Sequence, residues 1–243
     1  MDTIKLIYGD CIQEMKHIAD NSIDFIFCDL PYGTTQNKWD SIINLNDMWN
    51  QFHRITKENA CIALWCQEPF TTTLITSNIK EFRYKWIICK TNATGFLNAR
   101  RMPLKSYEEV AIFYRSLPTY NPQKTKGVRK VSTAEHRKNT KRSTNYNDVI
   151  PNSYDSDERF PRDVLTFVWD KQKSSLHPTQ KPVLACEYFI KTYSNENDTV
   201  LDATMGSGST GIACINTNRK FIGIEKDETI FNVCKERIDG YTQ

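Results

Sequence analysis

Asp29-Leu30-Pro31-Tyr32-Gly33 follows the apolar run SIDFIFC, which reads as a buried strand. An acid, an X-Pro bond and an aromatic at the exit of a parallel strand stand where open α/β sheets build their sites. The set suits attack by an exocyclic amine of adenine or cytosine on a sulfonium methyl group. Such an amine is a poor nucleophile because its lone pair is delocalised into the ring. Acceptors on its hydrogens pull the nitrogen toward tetrahedral geometry. The Asp29 carboxylate can be one acceptor and the Leu30 main-chain carbonyl the other. Because the second acceptor is backbone, leucine serves there. Pro31 fixes the turn, and Tyr32 offers a ring on which an extruded base can stack. Taken alone, the same residues also describe a strand ending in an ordinary turn.

A second group lies far along the chain. The strand-like TVLDAT runs into Met205-Gly206-Ser207-Gly208-Ser209-Thr210-Gly211 and then the helical IACINTN. A Gly-x-Gly turn between strand and helix lets the backbone approach a ligand, with the helix N-terminus beside it. Asp202 closes that strand, and Glu225, followed by Lys226, closes the next one, KFIGIE. An acid at the second strand end can accept both hydroxyls of a ribose. The pattern points to an adenosine-type ligand without separating nicotinamide cofactors from S-adenosylmethionine. Just upstream, Thr179 or Gln180 can cap a helix that holds Pro182 in its first turn. His177, Gln180 and Lys181 crowd beside that turn and would suit the carboxylate of an amino-acid-like cofactor.

The elements that must position these groups alternate between strand and helix. IKLIYG and SIDFIFCDL read as strands with the helical CIQEMKHIA between them. LNDMWNQFHRIT reads as helix, ACIALWC as strand, TTTLITSNI as helix, and RYKWIICK and EEVAIFYRS as strands. Residues 116–163 lose periodicity and are punctuated by Pro118, Pro122, Pro151 and Pro161. Patterning returns with DVLTFVWD as a strand and PVLACEYFIKTYS as a helix, ahead of the glycine turn. This order implies an α/β fold with a mostly parallel sheet covered on both faces. Residues 1–115 and 164–243 would be two halves of one domain, and residues 116–163 an insertion that carries recognition.

Composition narrows the class further. The formal net charge is only +3, so its distribution matters more than its sum. Lys124, Lys126, Arg129, Lys130, Arg137, Lys138, Lys141 and Arg142 face the single acid Glu135 between residues 121 and 145. This is either a solvated loop or a basic segment for a polyanion, whose phosphates lysine and arginine neutralise. No run of about 18 apolar residues exists, so no membrane span is expected. The opening MDTIKLIYGDCIQEMK lacks the layout of a signal peptide, and the expected compartment is the cytoplasm. The eight cysteines form no Cys-x-x-Cys pair and sit mostly in apolar runs, as small hydrophobes rather than metal ligands.

Together these residues resemble the amino-methyltransferases of DNA. Asp29-Leu30-Pro31-Tyr32 resembles their Asp-Pro-Pro-Tyr catalytic motif, and Asp202 to Gly211 resembles their Asp-Pro-Phe-x-Gly-Ser-Gly-Thr-Thr-Gly cofactor loop. His177-Pro-Thr-Gln-Lys-Pro182 is similar to the segment preceding that loop in the beta group, where the catalytic motif comes first, then target recognition, then the loop. Tyr8-Gly9-Asp10-Cys11 resembles the family's Gly-Asp motif, whose acid meets the cofactor adenine. Tyr107-Glu108-Glu109-Val110 falls where such enzymes often carry a His-Glu pair ahead of a strand. Leu30 departs from the first proline of the motif, and Ala203 and Thr204 stand where the family has Pro-Phe.

The resemblance implies a doubly wound, seven-stranded Rossmann-like methyltransferase fold with circularly permuted motif order, bound S-adenosylmethionine and base flipping. It implies double-stranded DNA as a partner and allows a cognate restriction endonuclease and a homodimer. The leading Asp is the adenine-specific form, so the expected product is adenine methylated on its 6-amino group, by direct in-line transfer. Asp29, Leu30, Pro31 and Tyr32 are the expected catalytic residues. Asp10, Cys11, Asp29, His177, Thr179, Gln180, Lys181, Asp202, Met205, Gly206, Ser207, Gly208, Ser209, Thr210, Glu225 and Lys226 are the expected cofactor residues. Cys28 precedes Asp29, but nothing around it resembles a Pro-Cys nucleophile for covalent chemistry. The rivals are cytosine 4-amino methylation, an RNA or glutamine-amide substrate, and a DNA-binding relative that has lost catalysis.

Overall fold

A computed structural model describes residues 3–33, 42–132, 155–168 and 180–241. Its elements run β1 (Ile4–Tyr8), α1 (Cys11–Met15), β2 (Ile23–Asp29), α2 (Leu45–Ile55), β3 (Thr56–Cys66), α3 (Phe70–Ser77), β4 (Phe82–Thr94) and β5 (Lys105–Phe113). There follow β6 (Thr125–Ser132), β7 (Asp155–Arg159), β8 (Val164–Phe167), α4 (Val183–Tyr193), β9 (Thr199–Asp202), α5 (Ser209–Asn216), β10 (Lys220–Glu225) and α6 (Glu228–Asp239). The main sheet has the order β1-β10-β9-β2-β3-β5-β4-β8. Strands β1, β10, β9, β2 and β3 are parallel, β5 is antiparallel to both its neighbours, and β8 is parallel to β4. The fold is the expected doubly wound α/β type. The sheet holds eight strands rather than seven, because β8 adds to the edge at β4.

Period-two alternation along the central strands explains the two-sided burial. Phe25, Phe27, Cys61, Ala63 and Trp65 pack on one face with Cys186, Phe189 and Tyr193 of α4. Ile26, Cys28, Ile62, Leu64 and Cys66 pack on the other with Met48, Trp49 and Phe52 of α2. All eight cysteines are free and all but Cys89 are buried. Among the described residues no helix is long and apolar enough to cross a membrane.

Strand order reverses between β2 and β9. From there the chain winds outward one way through β10 and β1 and the other way through β3. Phe25 and Ile26 pair with Val200 and Leu201, so Asp29 and Asp202 close neighbouring strands at the carboxyl edge. Open α/β sheets hold ligands at such a switch point.

Two local expectations are corrected. The helix read over CIQEMKHIA stops at Met15, because Arg54 donates to the carbonyls of Met15 (2.6 Å) and Ile18 (2.8 Å), satisfying groups that a longer helix would have used. The aperiodic stretch 116–163 contains a two-stranded antiparallel sheet of β6 and β7, within a compact unit of residues 122–162. Its register shifts between Lys126 and Val131, around Gly127, which hides the alternation in the sequence. A Cβ at Gly127 would stand 2.8 Å from the Arg159 guanidinium carbon.

Candidate active site

The tetrapeptide Asp29–Tyr32 leaves β2 directly into the crevice. Leu30 is buried, and the Tyr32 ring packs 5.4 Å from the Phe70 ring. The Tyr32 hydroxyl donates to Asp29 Oδ1, while Lys181 Nζ stands 2.9 Å from Asp29 Oδ2. Lys181 also reaches Glu108 Oε2 at 2.8 Å, and Lys90 Nζ holds Glu108 Oε1 at 2.5 Å. Two carboxylates and two ammoniums therefore interlock beside the tetrapeptide, with Lys181 5.0 Å over the Trp65 ring. The Thr204 hydroxyl donates to the Asp29 carbonyl at 3.0 Å, which fixes the backbone just before Leu30.

Burial pushes the Asp29 carboxyl up, Lys181 pulls it back, and Glu108 pushes it up again. Glu108 is also penalised by burial, but Lys181 and Lys90 together hold it down to about 2. Burial works against the Lys181 charge, yet Asp29 and Glu108 keep its pKa above the usual lysine value. Tyr32 stays a phenol, since burial and the Asp29 charge raise it well above its ordinary value. Buried ion clusters of this kind need every charge answered, and here each is.

The glycine turn forms the facing wall. Asp202 Oδ1 accepts from Thr204 N (3.1 Å) and Oδ2 from the Thr210 hydroxyl (2.7 Å). Burial pushes its pKa up to about 7 against those bonds. Glu225 Oε2 accepts from Gly206 N at 3.1 Å and Oε1 from Asp227 N at 2.9 Å; burial raises its pKa too. Gly206 has φ +51°, and a Cβ there would meet nothing within 4 Å among the described residues. Gly208 has φ +80°, and a Cβ there would stand 2.6 Å from Cys234 Sγ. Asp10 caps α1 by accepting from Ile12 N (3.0 Å) and Gln13 N (3.2 Å), and burial pushes the Cys11 thiol up to about 12.

Both walls line one cavity of about 390 Å³. It brings together Asp10, Cys11, Asp29, Leu30, Pro31, Tyr32, Gln180, Lys181, Asp202, Met205, Gly206, Ser207, Ser209, Thr210, Glu225 and Lys226. Gly208 faces Cys234 and Ile238 instead, so its part is to let α5 start in tight packing. His177 and Thr179 lie outside the described residues. The cap expected from Thr179 or Gln180 is replaced by Pro182, which occupies the N-cap itself without a side-chain bond. Gln180 therefore turns inward, 6% exposed, and its Oε1 meets no hydrogen-bond partner among the described residues. Lys181, read as a partner for a cofactor carboxylate, is engaged by Asp29 and Glu108.

Sequence reasoning missed Trp65, Gln67, Lys90, Thr94 and Thr204, all of which line the cavity. Glu108 and Glu109 lie within β5, not ahead of it, and alternation sends them to opposite faces. Glu108 enters the site, whereas Glu109 binds Lys85 and the Thr71 hydroxyl, each at 2.6 Å. An acid pair inside an otherwise apolar strand was the available signal.

The basic segment is only partly described. Lys124 lies 3.0 Å from Glu158 and 5.0 Å over the Phe160 ring, and Lys126 lies 3.8 Å from Asp157 with an 85% exposed side chain. Arg129 and Lys130 sit on β6. Arg137, Lys138, Lys141 and Arg142 lie outside the described residues.

The family model described as DNA methylase matches residues 23–236. The DNA adenine methyltransferase YhdJ of Escherichia coli K12 is 28% identical over 251 residues, covering 96% of this chain and 82% of that protein. The type II methyltransferase M.HpaI of Haemophilus parainfluenzae is 28% identical over 254 residues, covering 97% and 74%. The crystal structure of the M1.HpyAVI–SAM complex superposes with a TM-score of 0.67 at 21% identity, over 97% of this chain and 99% of that one. The cytosine-N4-specific PvuII DNA methyltransferase superposes at 0.66 with 13% identity, over 98% and 93%.

Proposed function

The chain belongs to the DNA methylase family, and on that premise we propose that it moves a methyl group from S-adenosylmethionine to the 6-amino group of adenine in duplex DNA. The observation that carries this reading is one cavity lined by both Asp29-Leu30-Pro31-Tyr32 and the Asp202–Thr210 turn. The relative named a DNA adenine methyltransferase supports adenine as the base.

The residues present suit the methyl donor. Glu225, which ends β10, would accept from ribose hydroxyls, and the open space at Gly206 supports a ligand against the backbone. Gln180 Oε1, which has no hydrogen-bond partner among the described residues, suits the ammonium of an amino-acid moiety. When bound, S-adenosylmethionine supplies an electrophilic methyl on a sulfonium.

Asp29 and the Leu30 carbonyl accept the two hydrogens of the adenine amine and draw its lone pair out of the ring. The ion pair with Lys181 favours the charged form of Asp29 against the burial that raises its pKa. As the nitrogen bonds to the methyl carbon and that carbon's bond to sulfur breaks, its electron pair staying on the sulfur, Asp29 takes the proton that the nitrogen must lose and passes it to solvent. Tyr32, held by its bond to Asp29, is the platform for the flipped base. The basic segment of residues 121–145 binds phosphates, for which the exposed Lys126 speaks.

The type II names among the relatives support a cognate restriction endonuclease as partner. A homodimer and a cytoplasmic location belong to the same proposal, resting on the family resemblance and on eight free thiols. The test is transfer of labelled methyl from S-adenosylmethionine to unmethylated genomic DNA, followed by nucleoside analysis. Label in 6-methyladenine supports the reading. Label in 4-methylcytosine keeps the mechanism and changes the base. No label in DNA overturns it.

A further inference from the structure

The connection between β4 and β5 carries an apolar tip that the core does not use. Phe96 is 79% exposed, Leu97 100% and Met102 59%. Large side chains left this bare are unusual unless they meet a partner. The tip is nevertheless ordered: Gly95 turns with φ +87°, Phe96–Asn98 form a 3-10 turn, and Asn98 O accepts from Arg101 N (2.8 Å) and Met102 N (3.0 Å). Strand pairing of Thr94 with Lys105 closes its base.

Two further observations identify the partner. The segment Gly95–Lys105 contains Arg100, Arg101 and Lys105 and no acid. Arg100 and Arg101 are exposed and form no ion pair among the described residues. Such a surface repels basic partners and suits a polyanion that also offers an apolar interior, which is what a stacked duplex offers. Moreover, Thr94 lines the cavity that holds Asp29. Leu97 is three residues further on, so its Cα lies within about 11 Å of that lining.

We propose that Phe96 and Leu97 form a wedge that enters the base stack beside the target adenine while Arg100 and Arg101 hold the flanking phosphates. Extruding a base leaves a gap and breaks stacking and pairing, and an apolar side chain in the gap offsets part of that loss. The inference deepens the proposed function and rests on it.

The test uses the full chain with Phe96→Ser and Leu97→Ser combined, on a duplex carrying the methylation site mapped in genomic DNA. Both side chains are exposed, so folding is not at stake, and unchanged S-adenosylmethionine binding by calorimetry confirms it. Methylation of the fully paired duplex should fall about tenfold or more. It should return toward the wild-type rate on a duplex whose target adenine faces an abasic position, where little pairing remains to be broken. An unchanged rate on the paired duplex overturns the proposal, as does an equal loss on both duplexes. A variant that instead alters the mass in solution assigns the tip to a second copy of this chain and also overturns it. A wild-type chain that methylates neither duplex removes the underlying function, an outcome distinct from all of these.

Discussion

The ammonium of Lys181 stands 2.9 Å from Asp29 Oδ2, and its other partner, Glu108, is itself held by Lys90. The charged form of Asp29 is thus favoured by Lys181, from the segment before α4 and far from it in sequence, while burial and the Glu108 charge on β5 oppose it. Removing the ammonium leaves Asp29 with burial and the Glu108 charge, both of which raise its pKa. For Lys181→Met we expect methyl transfer at neutral pH to fall about 100-fold. The acid limb of the kcat–pH profile should move to higher pH, because the base must still ionise to work. Lys181→Arg should restore part of both. A uniform loss with an unmoved profile would show that Lys181 only fills space.

Asp29→Ala removes the side-chain acceptor but touches neither Glu225 nor the glycine turn. Transfer should drop by about 10²- to 10⁴-fold, with the calorimetric Kd for S-adenosylmethionine within about twofold of wild type. Loss of both together would contradict the division of the cavity into a reacting wall and a cofactor wall.

Asp202 titrates where stability can be read. Its folded pKa is raised to about 7, above the ordinary 3.8, so the folded chain holds a proton that the unfolded chain has released between those values. Stability therefore falls as pH rises from about 4 to 7, by up to roughly 4 kcal/mol, and changes no further above that window. Asp202→Asn should flatten this slope in urea unfolding at pH 5 and pH 8, and gain most at pH 8. An identical pH slope in wild type and variant would refute it.

The two positive-φ glycines of the turn after β9 should fail differently. Gly208→Ala forces a Cβ against Cys234 Sγ at 2.6 Å and Ile238 Cδ1 at 3.2 Å. It should lower unfolding stability by about 1–3 kcal/mol. Gly206→Ala meets only open space and the backbone penalty, about 1 kcal/mol, but intrudes on the ligand's side. It should weaken S-adenosylmethionine binding about tenfold while the thermal midpoint moves less. The reverse pattern would mean the turn faces the other way.

What the sequence discloses here is what repeats locally. The buried β2, the glycine turn and the acids ending β2, β9 and β10 follow from periodicity and from residue types at strand exits. The interlocked charges do not, because Lys90, Glu108 and Lys181 meet only when β4, β5 and the start of α4 are side by side. Thr204 stands where the family loop has an aromatic, and its hydroxyl secures the Asp29 carbonyl, a contact that only the folded chain reveals. The β6–β7 pair was hidden because its register shift and its charges erase alternation. Pro182 takes the cap that the sequence offers to Thr179 or Gln180, and only tertiary context turns Gln180 inward.

The pairing of β2 with β9 has a consequence in time. Ala203 N donates to Cys28 Sγ at 3.1 Å across 175 residues of chain, and the whole crevice lies across that seam. At about 5–20 residues per second, a ribosome finishes Ala203 about 9–35 s after Cys28. Through that interval Asp29 and Tyr32 exist without the wall that would hold a methyl donor. The cavity does not exist on the nascent chain until its last parallel strands arrive, and then both of its walls close around it in one step.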